Sequence, residues 1–253
     1  LWRNFETIGA EVVFVPRNEK GDLAPDRFRA QANSRTKLIV TANLHNPTGR
    51  HTPPAILRDL GRIAAAVGAQ LRCDEVYLDG LFGGTPVPCA KAIGNGISTA
   101  SFTKVYGLGI LRGGWAVGPK EIIARMWRAE TYLGPFQSTA AEALTVSAFR
   151  MLPKLFERAK RRYEENFPVL CAWAEKHPSL SWTQPDGGFV GFVKLPEGID
   201  DWAFQERLAR EQSTWVTPGR FFRAPGHIRI GFGMPRAQME EGLARIDRVL
   251  KTR

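Results

Sequence analysis

Short apolar runs alternate with longer stretches of helical periodicity through the first half of the chain. Runs of five or six mainly apolar and β-branched residues, bounded by Pro, Gly or polar residues, predict buried strands. The predicted strands cover residues 11–15, 37–41, 69–74, 98–102 and 115–118. Apolar residues at helical spacing predict helices over residues 25–32 and 54–67. Strands that alternate with helices predict an α/β fold, with a mainly parallel sheet sandwiched by helices.

The second half of the chain opens with a long helical region, which begins near Glu121. Helices are predicted over residues 140–152, from Pro153 to about residue 176, and over residues 202–212 and 237–250. Shorter apolar runs predict strands over residues 180–183, 188–193 and 227–232. We therefore expect two domains, a large one over residues 1–152 and a smaller α+β domain over residues 153–253.

Composition narrows the class of protein. The chain of 253 residues is 43% hydrophobic and 24% charged, which is ordinary for a globular protein. It has no run of about 18 apolar residues, so we expect no membrane-spanning helix. Cys73, Cys89 and Cys171 show no metal-like spacing, and we expect reduced thiols in a cytoplasmic protein.

The net charge of +10 raises the possibility of a nucleic-acid partner. However, the basic residues are spread along predicted helices, and glutamates are interleaved with them over residues 157–165. Such a run is typical of a solvated helix face and does not favour nucleic-acid binding. A positive field that attracts anionic small molecules is the simpler interpretation.

Polar residues gather where three of the predicted strands end. Asn46 follows the strand over residues 37–41, Asp74 closes the next strand, and Lys104 follows the strand over residues 98–102. In open α/β sheets the ligand crevice lies beyond the carboxyl ends of the strands. The sequence therefore predicts one site that contains all three side chains.

The stretch from Ser101 to Trp115 combines a lysine with several glycines and an arginine. Glycines allow tight turns and close approach to a ligand, and the planar guanidinium of Arg112 can hold a phosphate through paired hydrogen bonds. Ser101 offers a hydroxyl to the same phosphate. Beside such a site, Lys104 is a candidate nucleophile for a Schiff base. Taken alone, a Ser-x-x-Lys spacing is a weak signal.

Four motifs in one order carry a resemblance to a known family. They are Asn46-Pro47-Thr48-Gly49, Asp74-x-x-Tyr77, Ser101-x-x-Lys104 with Arg112 beyond it, and Arg229. In this order they resemble the class I/II aminotransferases, which are fold-type I enzymes that depend on pyridoxal 5′-phosphate. Residues 185–189 and 216–219 support the match in the second domain. The resemblance covers essentially the whole chain.

The resemblance implies roles for the residues of the first two motifs and for the lysine. Lys104 matches the residue that forms the Schiff base with the cofactor and later moves a proton. Asp74 matches the partner of the pyridine nitrogen, and Asn46 and Tyr77 match the residues that hydrogen-bond the phenolic oxygen. Without the other motifs, Asp74 would be interpreted as a turn or helix-capping residue and Tyr77 as a core aromatic.

The resemblance also implies how the phosphate and the substrate are held. Ser101 and Arg112 match the phosphate-binding positions. Arg229 matches the arginine that binds the substrate α-carboxylate, although a surface arginine on a strand is the plainer alternative. Asn46 is expected to bind the substrate as well.

Three positions depart from the family pattern. Ile110 stands where a glycine is usual, and it would crowd the loop if its φ angle were positive. Arg72 lies in an otherwise apolar strand and should face the same way as Asp74, where a carboxylate could pair with it. Arg223 stands where a glycine is common after the Pro-Gly turn.

In this family a glycine-rich phosphate turn, and an aromatic ring that stacks on the cofactor, lie upstream of the strand predicted over residues 11–15. The sequence begins at Leu1 without either of them, and Trp2 lies too close to that strand to be assigned as the ring. We therefore expect an N-terminally truncated chain that holds pyridoxal phosphate poorly.

The function that the resemblance implies is amino-group transfer between an amino acid and a 2-oxo acid through a Schiff base on Lys104, by a homodimer when the protein is full length. Two alternatives remain open. The same lysine and electron sink would serve a C–S lyase, a decarboxylase or a condensing enzyme. The net charge also leaves room for the aminotransferase-like sensor domain of a transcription regulator.

Overall fold

Two four-stranded sheets with helices packed on them form the framework of the protein in the computed structural model, which describes residues 2–18, 21–134 and 138–251. The helices are α1 Arg3–Glu6, α2 Pro25–Gln31, α3 Pro54–Ala66, α4 Cys89–Ile93, α5 Lys120–Leu133, α6 Thr139–Arg150, α7 Leu152–Glu175, α8 Asp201–Gln212 and α9 Arg236–Lys251. The strands are β1 Leu38–Ala42, β2 Gln70–Asp74, β3 Ile97–Ser101, β4 Gly114–Val117, β5 Ser181–Trp182, β6 Val190–Lys194, β7 Thr217–Pro218 and β8 His227–Gly231.

The first sheet has the order β1-β2-β3-β4. Strands β1, β2 and β3 are parallel, and β4 runs antiparallel beside β3. This arrangement confirms the predicted α/β class and the mainly parallel sheet. Because the three parallel strands end at the same edge, the residues that follow them are brought together there.

One face of the first sheet packs against helices. Ile39, Leu71 and Cys73 point into a core that also contains Leu57 and Leu60 of α3. The alternate residues of β1 and β2 are only half-buried on the opposite face. Strand alternation therefore separates an apolar core face from a face that carries Asp74 and Arg72.

The second sheet has the order β5-β6-β8-β7, and all of its pairs are antiparallel. Apolar residues of β6 and β8 pack on α7, α8 and α9, with Leu170, Leu208 and Ile246 fully or almost fully buried. The strands predicted over residues 188–193 and 227–232 are confirmed, with small shifts at their ends. The predicted strand over residues 180–183 is reduced to two residues, and β7 was not predicted.

The strand predicted over residues 11–15 is wrong. Residues 11–18 have no regular secondary structure, and Val13 and Phe14 are exposed. Phe14 instead packs against two side chains. Its ring centroid lies 5.5 Å from that of Trp2, and the Arg223 guanidinium carbon lies 4.0 Å from the Phe14 ring centroid. An apolar β-branched run forms a strand only where another strand offers it hydrogen bonds, and no described strand pairs with this run.

Among the described residues, no helix is both long enough and apolar enough to cross a membrane. Leu1, on which the expectation of a truncated start depends, lies outside the described residues.

Candidate active site

The loop after β1 is fastened to the end of β2. The backbone N–H of Asn43 donates to the carbonyl of Asp74 at 2.8 Å. The buried Asn43 side chain then bridges the loop, since its Nδ2 donates to the Thr52 carbonyl at 3.1 Å and its Oδ1 accepts from the Thr52 N–H at 2.9 Å. The Asn46-Pro47-Thr48-Gly49 turn between these anchors therefore has a fixed position beside Asp74.

Asp74 is the last residue of β2, in register with Ala42 of β1 and Thr99 of β3. It is half-buried, and its Oδ1 accepts a hydrogen bond from the Val76 N–H at 3.3 Å. This contact is the one expected of a turn residue, which was the alternative interpretation of Asp74. One such contact leaves most of the accepting capacity of the carboxylate available.

Tyr77 is buried close to Asp74 and Arg229. Burial raises the pKa of its phenol, the charge of Arg229 lowers it, and the charge of Asp74 raises it. The hydroxyl therefore stays protonated near neutral pH and can donate a hydrogen bond. Its ring also belongs to the main hydrophobic core, so Tyr77 packs as a core aromatic as well.

Lys104 lies in a loop whose ends are tied to each other. The Phe102 N–H donates to the Gly113 carbonyl at 3.1 Å, and Gly107 takes a φ of +65°, which glycine adopts easily. Phe102 is fully buried and anchors the loop in an aromatic cluster. The Lys104 side chain is exposed and has no ion pair within the described part of the chain.

Ser101 and Arg112 lie at the same edge of the first sheet. Ser101 is in register with Gly114, two residues after Arg112. Besides Gly107, Arg112 has a positive φ in this loop, at 51°, whereas the φ of Ile110 is not positive and its side chain is 89% exposed. Ile110 was expected to crowd the loop only if its φ were positive, and it is not.

Arg229 of β8 is held in the site by three contacts. Its Nη1 donates to Asn46 Oδ1 at 2.8 Å, its Nη2 donates to Thr217 Oγ1 at 3.1 Å, and it lies 5.1 Å from the Phe222 ring. It is half-buried and is not a free surface arginine. A guanidinium has five N–H donors, so donors remain for a carboxylate.

A clasp, formed by residues 185–188 against residues 49–51, joins the two sheets at the site. Arg50 Nη1 donates to Asp186 Oδ1 at 2.9 Å, and Asp186 Oδ2 accepts from the His51 N–H at 2.8 Å. The Asp186 N–H donates to the Gly49 carbonyl at 3.1 Å. Sequence reasoning noted the 185–189 motif but missed Arg50, whose only signal is that it directly follows the Asn-Pro-Thr-Gly turn.

The other two unusual arginines have local explanations. Arg72 faces the same side as Asp74, as predicted, and its Nη2 donates to Thr99 Oγ1 at 3.0 Å. Among the described residues no carboxylate pairs with it, and the Thr99 hydroxyl is its hydrogen-bond partner. Arg223 takes the left-handed φ of 59° that a glycine would adopt easily, and it stacks on Phe14.

Tyr77, Lys104 and Arg229 line one cavity of about 370 Å³. Asn46 is attached to this group through Arg229, and Asp74 is close enough to influence Tyr77. Asn46, Asp74, Ser101 and Arg112 do not line the cavity itself. Ser101 ends β3 and Arg112 lies just before β4, so the two stand at opposite ends of the loop that carries Lys104.

The donor set fits pyridoxal phosphate. The aldehyde needs an amine, which Lys104 presents without a competing partner among the described residues. The ring nitrogen needs a carboxylate, and Asp74 has accepting capacity to spare. Because Asn46 Oδ1 accepts from Arg229, its Nδ2 remains for the phenolic oxygen, as does the protonated Tyr77 hydroxyl. The pairing of each polar group with a complementary group is what a buried cofactor requires.

Comparison with known proteins points in the same direction. Residues 2–246 match the profile of the family described as aminotransferase class I and II. The chain is 31% identical over 261 residues to the arginine–pyruvate transaminase of Pseudomonas aeruginosa, and this match covers 96% of the chain and 64% of that protein. It is 29% identical over 248 residues to the capreomycidine synthase of Streptomyces vinaceus, with the same two coverages. The chain thus spans slightly less than two thirds of these relatives.

Solved structures give the same result for the fold. A PLP-dependent aminotransferase from Streptococcus suis superposes with a TM-score of 0.92 at 25% identity, covering 97% of the chain and 66% of that structure. The aspartate aminotransferase of Thermus thermophilus with maleate superposes with a TM-score of 0.88 at 27% identity, covering 96% and 65%.

Proposed function

The chain belongs to the family of class I and II aminotransferases, and on this premise we propose that it carries the catalytic part of a pyridoxal-phosphate-dependent aminotransferase. The reaction moves an amino group between an amino acid and a 2-oxo acid. The observation that carries the proposal is the cavity in which the Lys104 amine, the Tyr77 phenol and the Arg229 guanidinium meet. Bound pyridoxal phosphate would supply an electron sink for the bonding pair released at the substrate α-carbon.

Lys104 and Asp74 have the proposed chemical roles. Lys104 would hold the cofactor through Nζ, and the same Nζ would serve as the general base that takes the substrate α-proton. The Asp74 carboxylate holds a proton on the ring nitrogen, which keeps the ring electron-poor. The position of Asp74 in register with neighbouring strands supports this role, because pairing on both sides fixes its backbone at the end of β2.

The remaining residues bind and orient. Tyr77 and Asn46 donate to the phenolic oxygen, and Ser101 and Arg112 hold the phosphate. Arg229 binds the substrate α-carboxylate. Asn46, whose Oδ1 accepts from Arg229 Nη1, contacts the substrate beside it. The hydrogen bond between Asn46 and Arg229 supports these two roles, because it fixes the residue proposed for the phenolic oxygen next to the residue proposed for the carboxylate.

The amino acid and the 2-oxo acid are the proposed substrates, and the proposed assembly is a homodimer of the full-length protein. The division into a large domain, residues 1–152, and a small domain, residues 153–253, is proposed from the two separate sheets. Cys73, Cys89 and Cys171 are free thiols, which supports a reducing, cytoplasmic location.

Borohydride reduction tests the central residue. Protein incubated with pyridoxal phosphate and then reduced should carry a pyridoxyl group on the peptide that contains Lys104, as measured by mass spectrometry after digestion. Lys104→Ala is the matched control and should lose the label. A label on Lys91 or Lys120 instead, or no label even at an excess of pyridoxal phosphate that offsets weak binding, would contradict the proposal.

A further inference from the structure

We infer that the cavity beyond Arg229 receives the substrate side chain, and that it selects an apolar one, aliphatic or aromatic. The inference rests on the proposed function and names its substrate class. The part of the cavity concerned is lined by Trp215, Met234, Gln238, Met239 and Gly242, and is called the side-chain recess below. It is continuous with the end of the cavity where Lys104 and Arg229 lie.

The charges of the described cavity lining are all of one sign. Lys104 and Arg229 are the charged residues of its described lining, and no carboxylate belongs to that lining. A carboxylate on the substrate is therefore bound at the Arg229 end. A cationic side chain would find no anion in the recess, and an acidic side chain would find no cation beyond the two that already have tasks.

The walls of the recess are mostly apolar. Met234 and Met239 contribute apolar walls, Trp215 stands at the exposed side, and Phe189 and Leu243 belong to the rest of the cavity lining. Methionine side chains are flexible and polarisable, and they adapt to apolar groups of different shape. The total volume of about 370 Å³ falls at the lower end of the range for small-molecule sites. The recess therefore suits one apolar side chain of moderate size.

Gly242 sets the depth of the recess. It lies within α9, where a glycine lowers helix stability relative to alanine. Its φ is not positive, so the backbone does not require glycine. A Cβ at this position would meet no atom within 4 Å, and Gly242 lines the cavity. A larger side chain here would consequently occupy space that we assign to the substrate.

Binding of simple carboxylates to the chain tests the inference without relying on turnover. The probes are 4-methylpentanoate, succinate and 5-aminopentanoate, which share a carboxylate and differ in an apolar, an anionic and a cationic tail. Isothermal titration calorimetry should show 4-methylpentanoate binding at least tenfold more tightly than the other two. Gly242→Leu should weaken 4-methylpentanoate at least tenfold and change the binding of succinate by less than threefold.

Two matched controls accompany the titrations. Gly83→Leu adds the same side chain at a glycine that also has no atom within 4 Å of a Cβ and lies outside the cavity lining, so its affinities should equal those of the unsubstituted chain. Gly242→Ala, which favours the helix, serves if Gly242→Leu does not fold, and it should weaken 4-methylpentanoate by a smaller factor.

The outcomes separate the inference from the function on which it rests. Tighter binding of succinate or 5-aminopentanoate, no binding of 4-methylpentanoate, or equal binding of 4-methylpentanoate to Gly242→Leu and the unsubstituted chain would overturn the apolar recess. If all three probes bind but are indifferent to Arg229→Ala, the carboxylate role of Arg229 fails instead. If borohydride reduction places no pyridoxyl label on Lys104 but the three probes keep the expected order of affinity, the proposed reaction is overturned and the apolar recess is not.

Discussion

At the scale of single residues, the buried Glu75 and the half-buried His45, which adjoin Asp74 and Asn46 in sequence, have opposite pKa shifts. Burial raises the pKa of Glu75 to about 7, although its carboxylate accepts a hydrogen bond from the Cys89 N–H at 2.6 Å. Burial lowers the pKa of His45 to about 3, and the charge of Arg17 adds to the effect. Each group is therefore neutral in the folded state over a range in which it is charged in the unfolded chain.

These shifts give opposite contributions to the pH dependence of stability. Glu75 has a raised pKa, so its contribution to the free energy of unfolding is complete below about pH 4.5 and is lost as the pH rises through about 7. His45 has a lowered pKa, so its contribution is present above about pH 6.5 and is lost as the pH falls towards 3. The two effects partly cancel between pH 4.5 and 6.5.

The Glu75→Gln variant separates the contribution of Glu75 from that of His45, because glutamine can still accept from the Cys89 N–H but does not titrate. The free energy of unfolding of the unsubstituted chain, minus that of Glu75→Gln, should fall between pH 4.5 and 7.5 by an amount on the order of 3 kcal/mol. Urea titrations at several pH values within this range measure the difference. The same difference at every pH would show that Glu75 does not titrate in this window.

At the scale of elements, glycines allow residues 185–188 to pack closely against Gly49 and Gly80. A Cβ on Gly187 would lie 2.4 Å from the Gly80 carbonyl oxygen, and one on Gly49 would lie 2.4 Å from the Pro185 side chain. The Gly188 N–H donates to the same Gly80 carbonyl at 3.0 Å. The motif loops thus pack backbone to backbone, and this contact brings Arg229 of the second sheet to Asn46 of the first.

Gly187→Ala should therefore destabilise the fold. Because the clashing atom belongs to the backbone, the loops must move apart, and overpacking of this kind costs about 1–3 kcal/mol. Differential scanning calorimetry would show this as a fall in Tm of roughly 2–4 °C for each kcal/mol in a chain of this size.

Gly83→Ala is the control for this change, since a Cβ there meets no atom within 4 Å. Its Tm should stay close to that of the unsubstituted chain. Equal Tm values for the two variants would mean that the close approach at Gly187 is not required.

At the scale of the whole molecule, helices α5 and α6 leave apolar side chains exposed. None of the residues of α5 is buried, and Ala148 is the one buried residue of α6. Trp127, Tyr132 and Leu133 of α5 are 77–89% exposed. Exposed apolar groups of this size favour association, and a second copy of the chain is the occupant that the proposed homodimer requires.

Sedimentation velocity over a range of concentrations should therefore show self-association of the chain. Trp127→Glu should weaken it, because a charge buried in an apolar interface has no partner. Phe221→Glu changes another exposed aromatic, 59% exposed and far from α5 in sequence, and should leave the association unchanged. A chain that is monomeric at every concentration, or equal effects of the two substitutions, would contradict the assignment of this surface.

The sequence by itself determined the order and type of most elements, the edge at which the polar residues meet, and the family. These features depend on local patterns: period-2 and period-3.6 spacing, and motif residues that follow strands directly. Asn46, Asp74 and Lys104 were placed together because parallel strands end at one edge, and the fold has that edge. The roles of these residues, and of Tyr77, Ser101, Arg112 and Arg229, remain proposals, and the experiments above test those of Lys104 and Arg229.

Only the tertiary structure decided the features that depend on partners distant in sequence. The apolar run over residues 11–15 has strand composition, yet no described strand pairs with it. The Arg50–Asp186 pair joins residues 136 positions apart, and the cavity that Gly242 lines is formed by residues as distant in sequence as Tyr77 and Ile246. Hydrogen-bond partners, ion pairs and cavities are properties of which surfaces meet, and local spacing holds no information about them.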